Sequence, residues 1–186
     1  RKKIMAKIYI FLADGFEEIE GLTVVDICRR ARLDISTVSI TDTNKVVSSH
    51  KIELRTDTLL NNINIDEADM LVLPGGLAGT NALMECSKLT DALVRFNDNK
   101  KMVAAICAAP SVLGVNGILK GKKATCYPGF EDKLLDATYE DVKVVKSENV
   151  ITSCGMGASV DFGLAIVEHF CGNEKAGEIA KQIKFI

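Results

Sequence analysis

Short apolar runs alternate along the chain with segments in which apolar residues recur every three or four positions. The runs predict strands, and the three-to-four spacing predicts amphipathic helices. The predicted strands are 7–13, 35–40, 52–55, 57–60, 69–73, 102–106, 124–127, 142–146 and 149–153. The predicted helices are 19–31, 78–85, 88–97, 159–170 and 174–183, with a short helix after Cys107. We expect 52–55 and 57–60 to be edge strands, and 142–146 to form a hairpin with 149–153.

The alternation of strands and helices also predicts the fold class. Near-continuous apolar strands separated by helices indicate a mostly parallel sheet that is covered by helices on both faces. In the first helix, the helical spacing predicts a buried face made of Ile19, Leu22, Val25 (or Asp26) and Ile27. No linker, repeat or low-complexity tract divides the chain, so we predict a single α/β domain over 1–186.

Charge and composition narrow the classes of function. The 186 residues include 23 Lys+Arg and 25 Asp+Glu, the formal net charge is −2, and there is no basic run. A nucleic-acid partner is therefore not expected. No apolar segment approaches the roughly 20 residues that cross a bilayer, so we expect no membrane association and a cytoplasmic location. Residues 1–4 precede Met5; we interpret them as a possible extension and assign them no function.

Residues that can take part in catalysis or binding follow three of the predicted strands. They are 14–20, 74–76 and 106–110. In open α/β sheets, ligands bind beyond the carboxyl ends of the strands. We therefore expect these three segments to converge on one site.

Cys107 lies between the predicted strand 102–106 and Pro110, a residue that suits the first turn of a helix. Small neighbours leave room for a sharp turn like the nucleophile elbow of α/β-hydrolases. The helix dipole and nearby N–H groups favour a thiolate there, so we predict a lowered thiol pKa. The alternative interpretation is that Cys107 is one more small buried apolar residue.

A reactive thiol needs an acid or a base beside it, and histidine is the usual choice. The two histidines, His50 and His169, lie away from the predicted strand ends, so a Cys–His dyad is disfavoured. The carboxyl groups of Glu17, Glu18 and Glu20 are the remaining candidates, because a carboxylic acid near a thiolate is driven toward its protonated form. Only the geometry decides whether Glu20, at the start of the helix, points inward. Glu17 and Glu18 are explained by charge complementarity with the start of the helix.

Pro74-Gly75-Gly76 predicts a bend whose backbone N–H groups approach a ligand closely. A glycine N–H from this bend and the N–H of Ala108 are candidates for an oxyanion hole; a purely structural turn is the alternative. No metal is predicted, because none of the six cysteines forms a C-x-x-C pair. We expect reduced thiols, with Cys126 and Cys154 at strand ends that border the same pocket.

Together these motifs resemble the ThiJ/PfpI superfamily, in particular the branch that contains the Parkinson-associated protein deglycase. The resemblance runs nearly end to end. It rests on segments 12–20, 72–76, 104–110, 151–153 and 163–168. It implies a flavodoxin-like three-layer sandwich, a homodimer and no cofactor.

The resemblance also implies roles for individual residues. Cys107 corresponds to the nucleophile, Glu20 to the buried acid, and Gly76 and Ala108 to the backbone donors around the sulfur. Gly75, Tyr127, Cys126 and Cys154 are further pocket candidates. The best-known member of the branch has His where this chain has Tyr127, and Arg where it has Cys154.

Three functions follow as hypotheses from the motifs and the resemblance. The first is a cofactor-independent glyoxalase or deglycase that acts on methylglyoxal or its adducts. The second is an oxidative-stress sensor or chaperone with a redox-reactive Cys107. The third, with least support, is a cysteine amidase or protease.

Overall fold

The computed structural model describes residues 6–186, so the prediction about residues 1–4 lies outside the described part of the chain. The strands are β1 (Lys7–Leu12), β2 (Asp34–Ser39), β3 (Lys45–Val47), β4 (Glu53–Arg55), β5 (Thr58–Leu59), β6 (Met70–Leu73), β7 (Met102–Ile106), β8 (Lys123–Ala124), β9 (Thr138–Tyr139), β10 (Val144–Ser147) and β11 (Val150–Ser153). The helices are α1 (Glu18–Arg30), α2 (Leu77–Glu85), α3 (Ser87–Asp98), α4 (Pro110–Val115), α5 (Ser159–Cys171) and α6 (Asn173–Gln182).

A seven-stranded sheet with the order β10-β11-β7-β6-β1-β2-β5 forms the middle layer. Every neighbouring pair is parallel except the β10–β11 hairpin. Two apolar clusters cover the sheet, one on each face, and this arrangement confirms the predicted three-layer α/β fold. Within the described range, no helix is both long enough and apolar enough to cross a bilayer.

The order of the strands positions the candidate site. β7, β6 and β1 are consecutive in the sheet, and all three are parallel. Their carboxyl ends therefore lie side by side at one edge. The three chemically interesting segments follow these three strands, as the sequence predicts.

The predicted buried face of α1 is partly wrong. Val25 and Ile27 are buried, but Ile19 is 49% exposed and Leu22 is 41% exposed. Glu18 and Glu20 occupy the inward positions at the start of the helix instead. Their carboxylates have hydrogen-bond partners inside the protein, which offsets much of the cost of burying them.

Two peripheral segments also differ from the prediction. The segment 124–127 is not a strand of the main sheet, because β8 ends at Ala124 and pairs with β9 in a separate two-stranded sheet. The segment 52–55 corresponds to β4, which pairs with β3 in a second small ribbon, whereas β5 lies at the edge of the main sheet as expected. Short strands of this kind give weak periodic signals, so their partners depend on tertiary contacts.

Candidate active site

Cys107 lies in a strained turn directly after β7. Its φ of 65° is in the left-handed region, which costs a residue with a side chain about 1–3 kcal/mol. Two backbone hydrogen bonds hold the turn: the Cys107 N–H donates to the Ser153 carbonyl at 2.9 Å, and the Cys107 carbonyl accepts from the Tyr127 N–H at 2.8 Å. Pro110 begins α4 three residues later. This geometry is the elbow that the sequence predicts, and it leaves the cysteine only partly buried.

Gly75 lies between the thiol of Cys107 and the carboxyl group of Glu20. Its N–H donates to Oε2 of Glu20 at 2.8 Å, and Glu20 is completely buried. A Cβ built on Gly75 would lie 2.5 Å from both Oε2 of Glu20 and Cβ of Cys107, and 3.1 Å from the sulfur. Glycine at this position therefore permits the close approach of the acid to the thiol.

Gly76 brings a backbone N–H to the sulfur from the second strand end. The N–H groups of Gly76 and Ala108 both lie close enough to the Cys107 sulfur to favour its thiolate form and to lower its pKa. Gly76 has a φ of 86°, and a Cβ there would lie 2.6 Å from the Glu17 nitrogen and closer still to the Gly15 carbonyl oxygen. The predicted backbone donors thus meet at one sulfur atom.

Burial dominates the electrostatics of the acid and the thiol. It raises the pKa of Glu20 from 4.5 to about 7, against the opposing contacts with the Cys107 thiol and the Gly75 N–H. Burial, together with the charge of Glu20 and the contact with it, raises the pKa of Cys107 to about 12. The N–H groups of Gly76 and Ala108 favour the thiolate but are outweighed. The prediction of a lowered thiol pKa is therefore wrong for the pair at rest.

The two groups are best described as one acid–thiol pair. Placing negative charge on both members is costly because they are close and poorly solvated. The pair therefore holds two protons below about pH 7 and one proton above it, and the raised pKa of the thiol places this remaining proton mainly on the sulfur. When it lies on Glu20, the carboxyl group becomes a hydrogen-bond donor and the sulfur becomes the nucleophile.

Glu20→Gln should stabilise the folded protein above neutral pH. Because folding raises the pKa of Glu20 from 4.5 to about 7, its contribution to stability is full below 4.5 and declines as the pH rises through 7. The neutral amide avoids this loss, so we expect the free energy of unfolding to rise by about 2 kcal/mol at pH 8 and to change little at pH 4.5. Urea unfolding at the two pH values measures the effect.

Glu174→Gln, the same substitution at an exposed position near the start of α6, is the control and should be neutral at both pH values. An equal effect of Glu20→Gln at pH 4.5 and pH 8 would contradict a raised pKa.

The remaining pocket candidates differ in how far their side chains are exposed. Tyr127 is 50% exposed, and its ring lies beside Gly155, where an added Cβ would be 3.1 Å from it. Cys154 is partly buried just after β11, and its N–H donates to the Lys143 carbonyl. Cys126 is completely buried in an apolar cluster, so its side chain does not border an open pocket as predicted.

Neither histidine contacts the thiol. His169 packs edge-on against Phe170 with the ring centroids 4.7 Å apart. His50 lies in the turn between β3 and β4, where its Nδ1 is 2.8 Å from Oε1 of Glu18. This contact joins residues 32 positions apart, and no local sequence signal indicated it.

Glu17, Glu18 and His50 are the one set of side chains with metal-ligand spacing in the part of the chain that the structure describes. Their potential ligand atoms lie within 4.8 Å of one another. Ser49 Oγ donates to Glu17 Oε2 at 3.1 Å and to Glu18 Oε2 at 3.2 Å. Ser49 and His50 thus provide partners for the two carboxylates, although Oε1 of Glu17 is buried without a hydrogen-bond partner.

Comparison with known proteins identifies the family. Residues 6–169 match the model of the DJ-1/PfpI family. This chain belongs to that family. Protein dj-1beta of Drosophila melanogaster is 38% identical over 174 residues, which cover 92% of this chain and 93% of that protein. The resemblance drawn from the sequence is thereby confirmed.

Solved structures and other relatives extend the comparison. The crystal structure of Drosophila melanogaster DJ-1beta has a TM-score of 0.92 at 37% identity and covers 97% of this chain and 98% of its own. Oxidized Toxoplasma gondii DJ-1 has a TM-score of 0.92 at 31% identity, covering 96% and 97%. Protein DJ-1 homolog B of Arabidopsis thaliana is 39% identical over 94% of this chain. The chain spans only 40% of that relative's length.

Proposed function

We propose that the chain is a cofactor-independent glyoxalase or deglycase that uses Cys107 on methylglyoxal or on its adducts. One observation carries the proposal: a partly buried elbow thiol is contacted by a fully buried carboxyl group and two backbone N–H donors. A relative named glutathione-independent glyoxalase DJR-1.2, from Caenorhabditis elegans, is 31% identical over 90% of this chain. The family thus includes a protein named for this activity.

The first chemical step forms a bond between the sulfur of Cys107 and the aldehyde carbon. As the bond forms, the electron pair of the C=O bond moves to oxygen, which takes the proton from Glu20. The N–H groups of Gly76 and Ala108 stabilise the negative charge that passes from sulfur to this oxygen. The product is a hemithioacetal, and Glu20 is left as a carboxylate.

The second step is an internal transfer of hydrogen. The Glu20 carboxylate removes the hydrogen of the former aldehyde carbon as a proton and returns a proton to the neighbouring ketone carbon. The hydroxyl proton on the former aldehyde carbon moves to the ketone oxygen. The electrons of the broken C–H bond thus reduce the ketone to an alcohol, while the former aldehyde carbon is oxidised to a thioester. Water then hydrolyses the thioester, so methylglyoxal and water give lactate and a proton. No external oxidant or reductant is needed.

Formation of lactate from methylglyoxal in the absence of glutathione is the direct assay. A dependence on added glutathione, or no lactate at all, would contradict the proposal.

We also propose that the chain forms a homodimer in the cytoplasm and that small carbonyl compounds are its substrates. The exposed apolar side chains of Ile19 and Leu22 on α1 support a covered surface there.

A second candidate function is redox sensing through the same thiol. The two N–H donors and a protonated Glu20 would also stabilise an oxidised Cys107 as sulfenate or sulfinate. One of the related structures is described as oxidized. A protein with this function would need little enzymatic turnover of a substrate.

Mild peroxide treatment followed by peptide mass spectrometry tests this candidate. We expect Cys107 to be oxidised at least about tenfold faster than the buried Cys28 and Cys126, and faster than the partly buried Cys86. Glu20→Gln should lose most of this preference because its amide has no acidic proton to share with the sulfur. Uniform oxidation of all six cysteines would contradict a tuned sensor.

The amidase or protease hypothesis receives no support from the described residues. A cysteine protease needs a base that both activates the thiol and protonates the leaving amine. His50 and His169 are engaged with Glu18 and Phe170, and Glu20 is the titratable group that contacts the sulfur. We therefore do not propose this function.

A further inference from the structure

Negative charge lies next to the Cys107 sulfur on the side of α1. Glu20 contacts the sulfur, and the charge of Glu17 adds to the raised pKa of Glu20, after burial as the main cause. Glu17 is tied to the same place, because its N–H donates to the Gly75 carbonyl at 2.9 Å. Within residues 6–186, no Lys, Arg or His side chain forms a hydrogen bond or ion pair with Glu20, and no cation contributes to the pKa shift of Cys107.

His50 balances this charge only in part. It is 2.8 Å from Glu18 and 3.9 Å from Glu17, so a single imidazole faces two carboxylates. The imidazole is 68% exposed, whereas the side chain of Glu17 is 15% exposed and that of Glu18 is 8% exposed. Solvent therefore screens this exposed imidazole more strongly than it screens the buried carboxylates.

The surroundings of Cys154 are also acidic, and Cys154 directly follows Ser153, whose carbonyl accepts a hydrogen bond from the Cys107 N–H. Burial raises the pKa of Cys154, and the charges of Asp141 and Asp161 raise it further. Lys143 lowers it, but this ammonium group is already paired with Asp161 at 3.2 Å. Both sides of the elbow thus present more negative than positive charge.

We propose that this site selects uncharged and cationic carbonyl compounds, including adducts on amines, against anionic ones, and that Glu17, which is held beside Gly75, contributes to this selection. The physical cause is the unfavourable energy of bringing an anion into a poorly solvated, negatively charged region. The proposal rests on the proposed function for the kind of electrophile that Cys107 attacks. The selection by charge belongs to the site itself and exists without turnover.

Alkylation of Cys107 measures the selection independently of catalysis. Iodoacetamide and iodoacetate have similar shapes, and with each the sulfur forms a bond to carbon while iodide leaves; only iodoacetate carries a negative charge. The intact protein is treated with each reagent, and modification at residue 107 is followed by mass spectrometry. N-acetylcysteine supplies the intrinsic ratio of the two rates.

We expect the preference of Cys107 for iodoacetamide to exceed that of N-acetylcysteine by about fivefold at low ionic strength, and to shrink in about 0.5 M salt as charges are screened. Glu17→Gln should lower the excess to about twofold, and Glu17→Ala should act in the same direction if Glu17→Gln does not fold. Asp98→Asn, which removes an exposed charge at the end of α3, should leave the excess unchanged. A ratio equal to that of the free thiol, or an excess insensitive to both glutamate substitutions, would overturn the proposal.

Turnover provides a second test with a matched pair of substrates. Phenylglyoxal and 4-carboxyphenylglyoxal have the same reacting dicarbonyl group and differ by one negative charge. We expect kcat/KM to be several-fold lower for the carboxylate, and Glu17→Gln to narrow the gap. Equal kcat/KM values would count against selection by charge. If the alkylation excess is found but no dicarbonyl is turned over, the proposed function fails while the charge selection stands.

Discussion

Cys107→Ala should reduce lactate formation from methylglyoxal by at least about a thousandfold, because alanine cannot form the hemithioacetal. In the proposed mechanism, the sulfur is the atom of the elbow that attacks the aldehyde carbon. Without the sulfur, no bond to the substrate forms and Glu20 has no developing oxyanion to protonate. The fold should survive, since the substitution removes one sulfur from a partly buried position. Lactate is measured at saturating methylglyoxal without glutathione.

Two further variants make this test specific. Glu20→Gln should lower kcat about a hundredfold while Cys107 can still be alkylated, because the amide cannot move protons. Cys86→Ala, at a partly buried thiol between α2 and α3, should retain full activity. Unchanged turnover in Cys107→Ala would exclude the mechanism, whereas equal losses in Cys107→Ala and Cys86→Ala would indicate a general structural effect.

Gly76→Ala should have the largest effect on stability, with a loss of about 3 kcal/mol or more in the free energy of unfolding. The added Cβ would lie 2.6 Å from the backbone nitrogen of Glu17 and closer to the Gly15 carbonyl. Backbone atoms cannot move aside as a side-chain end can, and the φ of 86° adds strain of its own. Denaturant unfolding of the variant measures the loss.

Gly117→Ala is the matched control for this prediction. Gly117 has a similar φ of 73°, but a Cβ there would have no neighbour within 4 Å. Its loss should therefore be limited to the cost of the left-handed backbone, about 1 kcal/mol. If the two variants lost equal stability, close packing around Gly76 would not be the cause.

The features that the sequence predicts correctly depend on neighbouring residues, whereas the features that it mispredicts depend on contacts between residues far apart in the chain. Residues 102–106 are predicted as a strand and form β7 with the same limits, because five consecutive apolar residues before a turn are a local signal. The turn at Cys107 and the start of α4 at Pro110 follow from neighbouring residues in the same way. The buried side of α1 is partly mispredicted, because apolar spacing favours Ile19 and Leu22 over the glutamates.

The candidate site likewise combines features that short motifs predict with features that depend on tertiary contacts. Sequence motifs indicated that Cys107, Glu20, Gly76 and Ala108 belong together, and the structure brings these residues to one sulfur. The motifs placed Cys126 beside them, but its side chain turns into the apolar core. The pairing of His50 with Glu18 had no counterpart in the motifs, since it depends on how the β3–β4 ribbon lies over α1.

The amino-acid sequence alone determined the α/β class and the sharp turn at residue 107, because periodicity and turn chemistry are properties of neighbouring residues. Only the tertiary structure decided the protonation of the pair and the charge around it. Desolvation and Coulomb interactions depend on atoms brought together from β1, β6 and β7, so they reverse the sign of the pKa shift that a local helix dipole suggests.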